Sequence, residues 1–167
     1  ARGHELAAAA IGRYLAETDF RFQRPAVASY RRGQWHARRG EFAQAQMALR
    51  TAGEREVGWG AAAAALGELY RDAERRPQAI EQYRLALAAD TGQAGWWAEL
   101  AVLLESEQDA ESAWERALDL HPEQWLYAAG LADYLLEQGR PADAERMHRQ
   151  VTATWEAPLP IRAYWWN

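Results

Sequence analysis

Four alanines recur at a spacing that constrains this chain more than its composition does. Ala45 and Ala79 lie 34 residues apart in matching surroundings, Glu41-Phe42-Ala43-Gln44-Ala45 against Arg75-Arg76-Pro77-Gln78-Ala79. Ala110 and Ala144 lie 34 apart again, while the step from Ala79 to Ala110 is 31, which predicts one trimmed loop. A period of this length marks a stacked array, in which each unit is one supersecondary element that buries its apolar face only against its neighbours.

Inside each period the apolar residues keep helical spacing, as in Leu66, Leu69 and Tyr70, or Leu131, Tyr134 and Leu135. Such a stripe predicts two helices per unit. Small residues at Gly33, Gly67, Ala101 and Ala132, paired with Ala45, Ala79, Ala110 and Ala144, predict close crossings, with Trp, Tyr and Leu filling the space between units. Gly40, Gly139 and Pro141 punctuate the turns and Pro122 ends a helix. Composition agrees, since 37 of the 167 residues are Ala, the strongest helix former. The expected fold class is all-α.

Around the alanines, the residues resemble the tetratricopeptide repeat. Residues 60–93 place Leu66, Gly67, Tyr70, Ala79, Tyr83 and Ala86 where that family has its signature. Residues 94–124 supply Trp97, Leu100, Ala101, Leu104, Ala110, Trp114, Ala117 and Pro122, with a shortened turn from Ser106 to Asp109. Residues 125–158 supply Leu131, Ala132, Leu135, Ala144, His148 and Val151. Residues 26–59 form a degenerate unit, because Ser29, Arg32 and His36 stand where bulky or apolar residues are usual. The resemblance implies a right-handed superhelical α-solenoid of antiparallel helix pairs. Residues 1–25 are expected to hold a helix serving as half repeat or cap, and residues 159–167 the start of a further helix or cap. With no initial Met and no signal sequence, the chain is expected to be a piece of a longer protein.

Chemistry finds little footing. His4, His36, His121 and His148 lack the spacing of metal ligands, and carboxylate pairs such as Glu105 with Asp109 lack a nucleophile or phosphate loop. No catalytic residue, cofactor or metal is expected. The most apolar run, Gly60 to Leu66, is far short of the roughly 20 residues that cross a bilayer. Net charge is −5, divided into +4 over residues 1–84 and −9 over residues 85–167, so a uniformly basic nucleic-acid footprint is missing. A chain without Cys fits periplasm and cytoplasm equally.

In the family resembled, the partner lies along the concave face of the first helices. The corresponding positions are Tyr30, Gln34 and Arg38, then Glu68, Arg71 and Asp72, then Val102 and Glu105, then Asp133 and Glu137, over a floor of Ala64, Ala98 and Ala129. This set runs from basic to acidic, and it lacks the Lys and Asn residues with which chaperone-binding members clamp a carboxylate. Trp96 and Trp125 fall off the packing positions and are candidates for an aromatic edge that holds a peptide or stacks on sugars. The resemblance implies a non-catalytic scaffold for protein or peptide partners, as a segment of a larger bacterial protein. Two other settings stay open: the periplasmic repeat region of an exopolysaccharide export protein that recruits partner enzymes or contacts the polymer, and an array attached to a transferase domain.

Overall fold

A computed structural model describes residues 25–104 and 108–155. Within them run eight helices: α1 (Pro25–Arg38), α2 (Phe42–Arg55), α3 (Gly60–Asp72), α4 (Arg76–Ala89), α5 (Ala94–Leu104), α6 (Gln108–Leu120), α7 (Trp125–Glu137) and α8 (Pro141–Trp155). The helices expected in residues 1–25 and 159–167 lie outside the described residues, apart from Pro25. Each consecutive pair, α1 with α2 through α7 with α8, occupies one period. Every helix packs on the next one in sequence, and first helices also touch first helices, α1 with α3 and α5 with α7.

The recurring alanines sit where the helices cross. Ala45, Ala79 and Ala110 are 0% exposed and Ala144 is 1% exposed, so no larger side chain fits there without moving a backbone. Glycine does the same at the partner position. A Cβ on Gly33 would stand 2.6 Å from Leu49 Cγ, and one on Gly67 would stand 2.9 Å from the Tyr83 ring. The rings and leucines between units close one continuous core that includes Leu49, Tyr70, Tyr83, Leu104, Trp114 and Leu131. Solenoid stability of this kind is a sum of unit and nearest-neighbour contributions.

Three helix ends repeat one motif. At Gly40 (φ 71°), Glu74 (φ 57°) and Gly139 (φ 72°) the backbone turns left-handed. The next amide then reaches back to the helix, Glu41 N–H to His36 at 3.0 Å, Arg75 N–H to Tyr70 at 2.8 Å and Arg140 N–H to Leu135 at 2.8 Å. These bonds satisfy carbonyls that a helix end leaves bare. The turn between α5 and α6 lies outside the described residues, and the short step from Ala79 to Ala110 falls mainly on α5 rather than on a loop, since α5 has 11 residues where the other first helices have 13 or 14. Arg76 Nε donates to the Leu103 carbonyl and so caps the last turn of α5 from the neighbouring unit.

The degenerate first unit has a local explanation. Ser29 is buried because Arg55 from α2 donates to its hydroxyl at 3.2 Å and to the Pro25 carbonyl at 3.1 Å. His36 is half-buried against Glu41 at 2.5 Å, and Arg32 is exposed. A polar pairing thus replaces the apolar contact that the other units make at these positions.

Candidate functional site

First helices α1, α3, α5 and α7 present one side-by-side face. On α1, Gln34 donates to the Tyr30 hydroxyl at 3.0 Å, and the Tyr30 ring leans on Trp59 with centroids 4.9 Å apart. Burial raises the Tyr30 pKa, assisted by the Glu68 charge and opposed by the Gln34 bond. Tyr30, Gln34 and Glu68 therefore share one neighbourhood. Arg38 is exposed at the last turn of α1, where a cation complements the helix dipole.

On α3, Arg71 is occupied. Its guanidinium donates to Glu99 of α5 and to Asp72 at 3.0–3.1 Å. These two carboxylates raise its pKa, Glu99 first, against partial desolvation. The cation at this position of the expected groove is neutralised by the chain itself, because α5 brings the Glu99 carboxylate within reach one repeat on. Glu68 closes on no ion pair among the described residues. Its carboxyl is held above the usual range chiefly by desolvation, with Arg71 pulling it down and Glu99 and Asp72 pushing it up. Beneath them, the Tyr83 hydroxyl from α4 is buried without a hydrogen-bond partner. Desolvation raises its pKa, and the Glu99, Arg71, Glu68 and Asp72 charges all act on it, which places it beside the cluster.

Farther along, Val102 is half exposed, Asp133 and Glu137 are exposed, and Leu136 adds an apolar side chain. Ala64 and Ala98 are buried in the floor and Ala129 is half-buried. Glu105 lies outside the described residues. Trp96 is half-buried over Gly60, whose added Cβ would meet its ring at 2.9 Å, whereas Trp125 is half exposed. The two rings hold different positions in their repeats. Sequence reasoning missed Glu99, three residues before Val102 and so on the same helix face; that spacing was the available signal. It also missed Gly130, where an added Cβ would stand 2.3 Å from the Trp114 ring.

Elsewhere the polar groups pair locally. His121 binds Glu123 at 2.9 Å, Arg140 binds Glu111 at 2.8 Å, and Arg84 reaches Asp109 at 3.4 Å. Among the described residues, no three His, Asp or Glu side chains gather as metal ligands would, and no helix is long and apolar enough to cross a membrane. A shallow cleft of about 330 Å³ between α4, α5 and α6 has Leu87, Trp97, Leu100 and Leu104 in its floor and Arg84, Asp109 and Arg116 on its rim.

No family model matches the chain, and no curated protein sequence does. Solved structures do match. The crystal structure of MamA superposes with a TM-score of 0.73 at 15% identity, covering 84% of each chain. PilF of Pseudomonas aeruginosa gives 0.66 at 25% identity, over 77% of this chain and 60% of that one. The first TPR of Spaghetti (RPAP3), bound to an HSP90 peptide, gives 0.64 at 14% identity, over 68% of this chain and 93% of that one. With its 34-residue period, paired helices and small-residue crossings, the chain folds as a tetratricopeptide-repeat solenoid.

Proposed function

We propose that the chain is a non-catalytic scaffold whose first-helix groove captures a segment of another protein. The observation that supports this is the face of matching repeat positions from Tyr30 on α1 to Glu137 on α7. Its floor is small and apolar, and its rim side chains are unevenly charged and incompletely paired. A floor of Ala leaves room for a peptide or helix, and charges along a groove set the orientation and rate of capture. The RPAP3 structure, of the same fold, has an HSP90 peptide bound. In this role the chain serves as a segment of a larger bacterial protein. The export and transferase settings that the resemblance raises would place the same groove beside different partners.

The test is face-specific crosslinking. A photoreactive residue at Val102 or Leu136 is expected to give adducts with a defined partner segment, and the corresponding synthetic segment should compete them away. The same residue at Leu85, exposed on α4, should give none of those adducts. Equal adducts from both faces would sink the groove as the binding site.

A further inference from the structure

Charge is distributed along the first helices in a way that identifies the partner's chemistry. Helix α1 carries Arg31, Arg32 and Arg38 and no acid, whereas α3, α5 and α7 together carry Glu68, Asp72, Glu99, Asp133 and Glu137 against one cation, Arg71. That cation is already shared by Glu99 and Asp72. Helices α3, α5 and α7 therefore carry four negative charges in excess, and their one cation is paired. Glu68 stands among them partly desolvated and, among the described residues, without an ion pair. Under the cluster lies a fully buried polar atom with no partner, the Tyr83 hydroxyl.

We propose that the groove over α3, α5 and α7 takes a basic segment of a partner protein, with a Lys or Arg side chain set between Glu68 and Glu99 and an aliphatic side chain on Val102. This assignment rests on the groove being the binding face. As the incoming cation takes Glu99, Arg71 keeps its bonds to Asp72. An acidic segment would meet like charge on all three helices. Glu68, Val102 and Asp133 hold the same position in successive repeats; α3 and α5 are bridged by the Arg71–Glu99 pair, α5 and α7 touch, and neighbouring helices of this kind stand about 10 Å apart. That step is about three residues of extended chain at about 3.3 Å each. The segment that fits has the spacing basic-x-x-aliphatic-x-x-basic, its second cation on Asp133.

Fluorescein-labelled Lys-Ala-Ala-Leu-Ala-Ala-Lys and its double-Glu counterpart, titrated by anisotropy at low and high salt, test this. The basic peptide is expected to bind, to weaken with salt, and to lose affinity about tenfold in Glu68→Gln/Glu99→Gln. The control Glu115→Gln/Asp119→Asn, exposed on α6, should leave it unchanged. A third variant, Ala129→Trp, plugs the floor, with folding checked by circular dichroism. Binding abolished by the plug but indifferent to peptide charge overturns the basic assignment and keeps the groove. Binding that survives the plug overturns the groove itself. Tighter binding of the Glu peptide, no binding of either at millimolar concentration, or a self-associated chain that the Glu68→Gln/Glu99→Gln pair dissociates would each overturn the proposal.

Discussion

Tyr70 and Tyr83 are both buried phenols, and only one of them is answered. Gln46 donates to the Tyr70 hydroxyl at 2.6 Å and Arg50 at 3.4 Å, while the Tyr83 hydroxyl has no partner. Tyr83→Phe keeps the ring against Gly67 and removes the orphan, so it should raise stability by about 1 kcal/mol. Urea unfolding with an unchanged m-value measures it; a lowered midpoint would show that the hydroxyl is bonded. Glu68 gives a prediction in pH. Its folded pKa is raised, so the folded chain binds this proton more tightly than the unfolded one does. The contribution to stability then falls as pH rises from the unfolded carboxylate value, about 4.3, through the folded value. Glu68→Gln should flatten that part of the melting-temperature profile. Glu41, lowered by Arg39 and His36, has the opposite sign, and Glu41→Gln should remove stability above its folded pKa. An unchanged profile in Glu68→Gln would contradict the desolvation. Counting repeats was enough to put Glu68 and Arg71 on the first helix of the second unit. Their pairing was not legible, because it depends on Glu99, 28 residues beyond Arg71 and on another helix.

At the scale of elements, the turns show how far a local motif overrides residue preference. Gly40 and Gly139 supply the left-handed residue at no steric cost, but the second unit uses Glu74, whose φ of 57° brings its Cβ toward the following carbonyl. Glu74→Gly should stabilise by about 0.5–1 kcal/mol, seen as a higher melting temperature, and a fall would mean that the Glu74 side chain holds the turn. Close crossings make the reverse prediction. Gly67→Ala improves helix propensity by about 1 kcal/mol, yet its Cβ would press at 2.9 Å on a ring that cannot withdraw, so the net should be a loss of about 1–3 kcal/mol. Gly53→Ala, whose Cβ meets only the Ala62 methyl at 4.0 Å, should be neutral or stabilising. Melting both variants separates packing from propensity; equal shifts would show that propensity alone is at work. Gly33 and Gly67 were legible because each falls in register with a repeating Ala. Gly130 was not, because it faces Trp114 of the preceding unit, and contact across units follows from how the pairs stack rather than from spacing within one pair.

Across the whole molecule, the period and the paired helices were legible because close packing at Ala45, Ala79, Ala110 and Ala144 admits only small side chains, and a steric requirement of that kind leaves its mark at every turn of the array. The division of charge between the two halves was legible as a sum. Its consequence was not, since the sum does not reveal that Arg71 is neutralised internally and that the sign changes between α1 and α3. The same nearest-neighbour construction governs stability. Helices α3 to α6 have a unit on each side, while α8 packs chiefly on α7 among the described helices, and end units with one neighbour fray first. Amide exchange should therefore be slowest in residues 60–120 and faster in α8. Because coupling passes only between neighbours, Gly67→Ala should speed exchange most in α3 and α4, less in α5 and α6, and least in α8. Mass spectrometry of the exchanged chain at peptide resolution would check both gradients. Uniform protection along the chain, or a uniform increase in the variant, would show that the array unfolds as a single cooperative unit instead.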